Sequence, residues 1–423
     1  MQKLAKKLVV SILGYQVRRL VKKNNFKVVA VAGSLGKTST KLAIVEVLSQ
    51  KYKVQHQGGN YNDTVTVPLI FFGQDLPSLQ NPFAWLASFW RNELKLRNKY
   101  PYDVVVVEVG TDGPGQIEKY GKYLKADISV LTAIAPEHME FFDDLDDVAK
   151  EELTIADLSE KVIYNSDFVE PKYANQIKKP TNTYGLKTPA DIHLANVRFH
   201  SFSADFEVVK EGKTLLQAEH EAVAEPRLYA VAAAVSVADQ LGLNASEIKA
   251  GLDNLKPVAG RMQSLAGINN STIIDDTYNA SPPAMKAALD TLYRVSAPQK
   301  IAILGNMNEL GKYSKTAHEE IGNYCDPKKL DLVVTIGPDA NKYLAPAAEA
   351  RGCTAQQFDD PYSAGNYLKQ VVKEGTLILA KGSQNRVFVE EAVKILLANP
   401  ADAEKLVRQS SGWLKTKERA FKK

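Results

Sequence analysis

Val28-Val29-Ala30-Val31-Ala32-Gly33-Ser34-Leu35-Gly36-Lys37-Thr38-Ser39-Thr40-Lys41 is the stretch on which the reading of this chain turns. Val28 to Ala32 is an apolar, β-branched run of the length of one buried strand. It breaks at Gly33. From about Lys37 the pattern turns helical, with Leu42, Val45 and Leu48 on one face. Strand, glycine turn, Lys-Thr and helix is the layout of a phosphate-binding loop. Its glycines let backbone N–H groups wrap a phosphate, and the helix N-terminus adds a favourable dipole. Lys37 would reach the β- and γ-phosphates of a nucleotide, and the Thr38 hydroxyl would hold Mg2+. Val31 stands where the general motif has its first glycine.

The chain has 423 residues, room for two or three domains. Its 45% hydrophobic and 24% charged content is that of a soluble globular protein. Cys325 and Cys353 are the only cysteines and form no CxxC pair, which excludes a zinc ribbon or a disulfide framework. A reducing, cytoplasmic setting fits. The net charge of +4 is unevenly spread: ten Lys and Arg, but no Asp or Glu, precede Glu46. The remainder holds 43 basic and 49 acidic residues, so bulk charge gives no reason to expect nucleic-acid binding.

Residues 1–24 set Leu4, Leu8, Ile12 and Leu20 among seven Lys and Arg, a basic amphipathic helix. Its apolar core, Leu8 to Leu13, is too short to span a bilayer, and no small-residue cleavage site follows. Two readings stand: a helix packed on its own domain with a solvated basic side, or one in peripheral contact with anionic lipid.

Further on, Tyr102 to Val109 and Asp127 to Ile134 read as buried strands. Glu108 ends the first. Ala135-Pro136-Glu137-His138 follows the second. In doubly wound sheets ligands sit at that carboxyl edge, and an acid there commonly serves the Mg2+ of a bound nucleotide. Glu108 is read as such a ligand, and His138 as a metal or phosphate contact. The aromatics of Phe83 to Trp90 have a spacing usual for core. Residues 190–225 alternate polar and apolar, as antiparallel strands do. Pro257 to Arg261 reads as a hinge. A fresh α/β unit follows, whose strands end in Asp275-Asp276, Gly305-Asn306 and Lys381-Gly382-Ser383. From Lys405 on, seven basic side chains and one acidic one read as a mobile or surface tail. The expected fold is α/β. A basic helix (1–26) precedes a central P-loop ATPase-type domain with a mostly parallel sheet (27–257). A C-terminal Rossmann-like α/β domain (258–423) ends the chain.

In order along the chain, Gly33-Ser34-Leu35-Gly36-Lys37-Thr38-Ser39, Gly59-Asn60-Tyr61-Asn62, Glu108-Val109-Gly110, Ala135-Pro136-Glu137-His138 and Gly260-Arg261 resemble motifs of the Mur ligase family. So do Asp275-Asp276-Thr277-Tyr278-Asn279-Ala280, Leu304-Gly305-Asn306-Met307-Asn308-Glu309-Leu310-Gly311 and Lys381-Gly382-Ser383. The likeness runs from about residue 27 to 395. It is strongest to the branch that adds D-alanyl-D-alanine to a UDP-N-acetylmuramoyl-tripeptide. The resemblance implies an ATP-dependent ligase of peptidoglycan precursor synthesis: a carboxylate is phosphorylated by ATP, an amine attacks the acyl phosphate, and phosphate leaves. It implies nucleotide contacts from Gly33, Ser34, Gly36, Lys37, Thr38, Ser39, Asp276 and Asn279. It implies Mg2+ contacts from Thr38, Glu108 and His138. Arg261 would reach the nucleotide as the C-terminal domain closes. Asn60, Asn62, Lys381 and Ser383 would meet substrate. Small-molecule substrates and a monomer are expected.

The chain departs from the family's pattern in four places. Only the basic helix precedes the loop, where the family usually has a nucleotide-sugar domain. Glu152 occupies the position of the family's carbamylated lysine and would supply a catalytic carboxylate directly, with Lys150 as the fallback. Asp63-Thr64-Val65-Thr66 replaces the usual Asn and Gly. Pro226-Arg227-Leu228-Tyr229-Ala230 replaces an amide-bearing stretch near adenine. Two rival readings use the same residues: ligase chemistry on a lipid-linked carboxylate, and a nucleotide-binding protein without catalysis.

Overall fold

The structure, a computed structural model, describes residues 2–58, 61–78, 81–220 and 225–421; Gly59 and Asn60 lie outside the described residues. Strand β1 (Lys27–Ala32) is buried from Val28 onward, as its apolar run requires. With β2 (Val54–Gln55), β3 (Val104–Glu108), β4 (Ala126–Leu131), β5 (Ser159–Asn165), β6 (Thr181–Gly185), β7 (Ile192–Phe199), β8 (Ala204–Lys210) and β9 (Lys213–His220) it forms a nine-stranded sheet in the order β2-β3-β1-β4-β5-β6-β7-β8-β9. Pairing is parallel from β2 to β7 and antiparallel from β7 to β9. β1 lies between β3 and β4, where the chain crosses from one side of the sheet to the other. This switch point opens a crevice at the carboxyl ends. Val31 is level with Glu108, and Ala32 with Leu131.

The second sheet contains β10 (Gln263–Ala266), β11 (Thr272–Asp276), β12 (Lys300–Gly305), β13 (Leu332–Ile336), β14 (Ala355–Phe358) and β15 (Leu377–Lys381), in the order β10-β11-β15-β12-β13-β14. Only the β10–β11 pair is antiparallel. The fold is therefore α/β with two mostly parallel sheets, as expected. The short, polar strands β6, β10 and β14 carry no run of branched apolar residues and had no signal in the sequence.

The first four helices are α1 (Gln2–Lys23), α2 (Lys37–Leu48), α3 (Thr66–Phe71) and α4 (Pro82–Arg97). α2 packs with the Ala-rich helix Glu225–Gln240 on one face of the first sheet. The opposite face is covered partly by α1, whose Val17 and Leu20 join Val28, Ala30 and Val105 in one apolar cluster. Gln16 Nε2 donates to Phe89 O (3.1 Å) and to Glu93 Oε1 (3.0 Å), and Arg19 pairs with Glu93 at 2.7 Å, tying α1 to α4. One face of α1 is therefore packed on its own domain. Among the described residues no helix is long and apolar enough to cross a membrane.

Two expectations need correction. The aromatics from Phe83 to Trp90 are not all core: Trp85 is buried, but Phe83 and Trp90 face outward, because 83 and 90 fall two helical turns apart on the side of α4 away from the sheet. The basic C-terminal stretch is not a loose tail either. Arg408 Nε and Nη2 meet the buried Glu390 carboxylate at 2.7 and 2.8 Å, and Lys417 Nζ reaches Glu390 at 2.9 Å and Glu391 at 2.6 Å. Two buried acids on one turn of the helix Glu390–Leu396 need cationic partners, and the last helix, Ser411–Phe421, provides one.

Candidate active site

Gly33 (φ 120°) and Gly36 (φ 78°) both take backbone that L side chains rarely adopt. Gly33 also presses against the next strand: a Cβ there would lie 2.4 Å from Thr132 Oγ1. The loop is pinned from below. Ser34 N donates to Ala133 O, Ala135 N donates to Ser34 Oγ, and Gly33 N donates to Glu152 Oε2 at 2.8 Å. Gly36 ends the turn, and α2 starts at Lys37, so the free amides of the first helical turn face the loop.

A cavity of about 560 Å³ opens above this loop. Lys37, Thr38, Glu108 and His138 line it from the first sheet, and Arg261, Asn279 and Lys381 from the second. Lys37 Nζ donates to Gly33 O at 2.6 Å and lies 3.3 Å from Glu137. Burial pulls the Lys37 pKa down, but the charges of Glu137, Glu152 and Glu108 outweigh it, so the ammonium is held above its ordinary value. Glu108 receives the Thr38 hydroxyl (3.0 Å) and the Asn62 amide (3.3 Å), with Lys41 Nζ 3.4 Å away. His138 has a left-handed backbone (φ 53°), and its Nδ1 is 2.7 Å from Glu309 Oε2. Burial lowers the His138 pKa, but Glu309 and Glu137 raise it further, and the net shift is upward.

From the second sheet, Lys381 Nζ pairs with Asp276 at 2.5 Å and donates to Asn279 O at 3.0 Å. The Arg261 guanidinium lies 4.0 Å from the Tyr278 ring centroid, and its buried Nε has no hydrogen-bond partner. The same holds for Ser281 Oγ, at the N-cap of the helix Pro282–Arg294 and on the cavity wall. Two orphaned donors and a helix N-terminus facing one space are what an anionic ligand satisfies. A neighbouring cavity of about 430 Å³ is lined by Ser39, Asn165, Phe168, Tyr229 and Asp276; the Phe168 and Tyr229 rings meet edge to face at 4.9 Å. Arg261 borders both spaces.

Other candidates stand elsewhere. Glu152 does not line the cavity; it is buried behind the loop, where burial pushes its pKa up to about 7, with Lys37 pulling down and Glu137 adding to the rise. Lys150 is exposed. Ser383 is buried, its hydroxyl accepting from Asn308 N and donating to Ala280 O, away from the cavity wall. Asn62 lines the cavity.

Sequence reasoning missed several residues. Lys41 stands one helical turn after Lys37, a spacing that places both on one face of α2. Glu137 and Glu309 sit inside stretches already singled out, yet a lone Glu in a loop has no signature of its own. Glu151 accepts from Gly115 N, Gln116 N, Ile117 N and Thr111 Oγ1, which orders the loop after β3. Adjacent acids thus brace two different loops.

Two family models match the chain. The Mur ligase middle domain covers residues 91–238, and the Mur ligase, glutamate ligase domain covers 260–384. The chain belongs to the Mur ligase family and is an ATP-dependent peptide ligase. Among curated proteins it is 29% identical to the UDP-N-acetylmuramoyl-tripeptide–D-alanyl-D-alanine ligase of Bacillus subtilis (strain 168), over 88% of this chain and 76% of that one. It is 26% identical to the ligase of the same name from Escherichia coli (strain K12), over 88% and 77%. The solved structure of MurF ligase from Thermotoga maritima in complex with ADP superposes with a TM-score of 0.75 at 25% identity, covering 94% of this chain and 84% of that one. Folylpolyglutamate synthase of Mycobacterium tuberculosis shares the fold at 16% identity, TM-score 0.65, over 90% and 91%.

Proposed function

We propose that this ligase joins D-alanyl-D-alanine to a UDP-N-acetylmuramoyl-tripeptide through an acyl phosphate, with ATP and Mg2+. The observation that carries the reading is the shared cavity in which Lys37, Glu108 and His138 meet Arg261 and Lys381. Lys37 and the loop amides would bind the β- and γ-phosphates. The neighbouring cavity, walled by the paired Phe168 and Tyr229 rings, would take the base, where Pro226 and Arg227 replace the family's amides. Arg261, aimed by the Tyr278 ring, would offset charge on the phosphoryl oxygens. Lys381, fixed by Asp276, would orient the carboxylate.

The Thr38 hydroxyl and the Glu108 carboxylate, 3.0 Å apart, are the hard oxygen donors that magnesium takes. Among the described residues no cluster of three or more His, Cys, Asp or Glu could hold a metal. Mg2+ commonly takes one or two carboxylates and completes its shell with water and phosphate. Thr38, Glu108 and His138 would hold it there. When bound, it would neutralise developing charge on the phosphate oxygens. Glu152 would act as a positioning residue, bracing Gly33 and helping to keep Lys37 protonated. Closure of the two sheets over the cavity would exclude water from a hydrolysable acyl phosphate.

The test is phosphate release and mass spectrometry of the product. With ATP, Mg2+, UDP-N-acetylmuramoyl-tripeptide and D-alanyl-D-alanine, both signals should need both substrates. Phosphate release indifferent to the dipeptide, or no ligated product, would count against this substrate pair.

A further inference from the structure

Outside the cavity, the helical layer of α1 and α4 bears an apolar stripe that is exposed among the described residues. On α4, Phe83 (78% exposed), Leu86 (62%), Trp90 (62%) and Leu94 (40%) recur at i, i+3, i+7 and i+11, one face of one helix. Single exposed apolar residues are ordinary, but four large ones in one stripe are not scattered. α1 runs alongside in the same direction: Gln16 is tied to Phe89 and Glu93, Lys23 to Leu96 and Arg97. It exposes Leu8 (62%) and Tyr15 (54%) in turn.

Charge identifies the occupant. α1 carries seven Lys and Arg and no acid; α4 carries three and one acid, Glu93. That acid is already neutralised by Arg19 at 2.7 Å. Lys6, Lys7 and Lys22 of α1 and Arg91 and Arg97 of α4 are exposed. A Trp/Phe/Leu stripe on a helical layer with ten cations and one acid is the composition of helices lying in the headgroup plane of an anionic bilayer. A protein partner or a second copy of this chain would need an acidic, apolar counter-surface, and this face cannot provide one for itself. We propose that the α1–α4 layer docks the enzyme on an anionic phospholipid surface, with Phe83, Leu86 and Trp90 inserted at the headgroup boundary. Such docking goes beyond the ligation reaction and does not rest on it.

The test uses the full chain and vesicles of phosphatidylcholine, with or without roughly one-third phosphatidylglycerol. Co-sedimentation should occur with the anionic vesicles only, weaken about tenfold as salt is raised from low to several hundred millimolar, and shift Trp90 emission to the blue. Leu86→Ser with Trp90→Ser should cut vesicle affinity about tenfold while leaving phosphate release unchanged. Lys6→Glu with Lys7→Glu and Lys22→Glu should do the same without touching the apolar stripe. Unfolding midpoints equal to wild type would certify that each variant folds. Absence of binding to anionic vesicles at low salt would overturn the proposal, as would wild-type affinity in both variants. A lipid-free dimer that Leu86→Ser with Trp90→Ser dissociates would overturn it too, by showing that a second copy covers the face.

Discussion

His138 Nδ1 lies 2.7 Å from Glu309 Oε2, joining the loop after β4 of the first sheet to the loop after β12 of the second. Both residues have left-handed backbone, φ 53° and 63°. Such conformations cost about 1–3 kcal/mol each and persist only where surroundings enforce them. Glu140 N to Glu309 O (3.3 Å) and the Tyr313 hydroxyl to Asp143 O (3.3 Å) complete the seam. The link holds the two halves of the cavity together.

Glu309→Ala should therefore loosen that seam. The His138 contact draws the Glu309 pKa down, so the carboxylate is charged at neutral pH. Hydrogen bonds and close contacts to charged groups contribute about 1.5–3 kcal/mol, so kcat should fall on the order of tenfold or more. Small-angle scattering in the presence of nucleotide should report a wider molecule than wild type. An unchanged kcat would mean that closure does not depend on this pair.

Lys37→Ala should cut turnover by roughly two to three orders of magnitude while leaving the fold intact. Removing a preorganised donor from a site of developing charge costs about 2.7–4 kcal/mol, or roughly 100- to 1,000-fold in kcat. ATP affinity, read by calorimetry, should weaken as well. A variant that loses ATP binding but had no turnover to lose in the wild type would mark a nucleotide-binding protein without catalysis.

Glu152→Gln tests a buried carboxylate whose pKa stands at about 7. In the folded chain this group binds its proton more tightly than in the unfolded chain. Its contribution to stability is thus fully present below the unfolded value and is lost as pH rises from about 4.5 towards 7. Relative to Glu152→Gln, the wild type should lose on the order of 3 kcal/mol across that window, measured by urea unfolding at each pH. Activity should run the other way. The ionised carboxylate supports Lys37 and Gly33, so wild-type kcat should climb through pH 7 with a limb that Glu152→Gln lacks.

Lys417→Ala removes the one buried cation that meets both Glu390 and Glu391, leaving Arg408 on the first and the longer 3.9 Å contact of Lys394 on the second. Breaking a buried pair by removing one partner costs about 3–5 kcal/mol, which thermal unfolding would register as a large drop in Tm. Arg408→Ala should act at a distance on the nucleotide site, because Arg408 also donates to Thr277 O (2.6 Å) and Tyr278 O (3.0 Å), the loop whose ring supports Arg261. Its KM for ATP should rise more than its kcat falls. Removal of residues 405–423 with no loss of Tm would mean that the stretch is the loose tail its composition suggests.

Local pattern determined a good deal of this protein. Val28 to Ala32 had to be a buried strand, Gly33 and Gly36 had to turn, and Lys37 had to begin a helix, because each of these depends on neighbours within a few residues. The same locality made the strand-end acids Glu108, Asp275 and Asp276 and the ordered motifs of the family legible. What the chain could not announce were the pairs remote in sequence. His138 with Glu309, Lys417 with Glu390 and Glu152 with the amide of Gly33 depend on where the sheets lie in space, and the desolvation that makes each pair matter exists only once they are packed. The face of α4 is the clearest case. Trp85 and Trp90 are both tryptophans on one helix, and only the position of α1 and the sheet beneath decided which is core and which meets the surroundings.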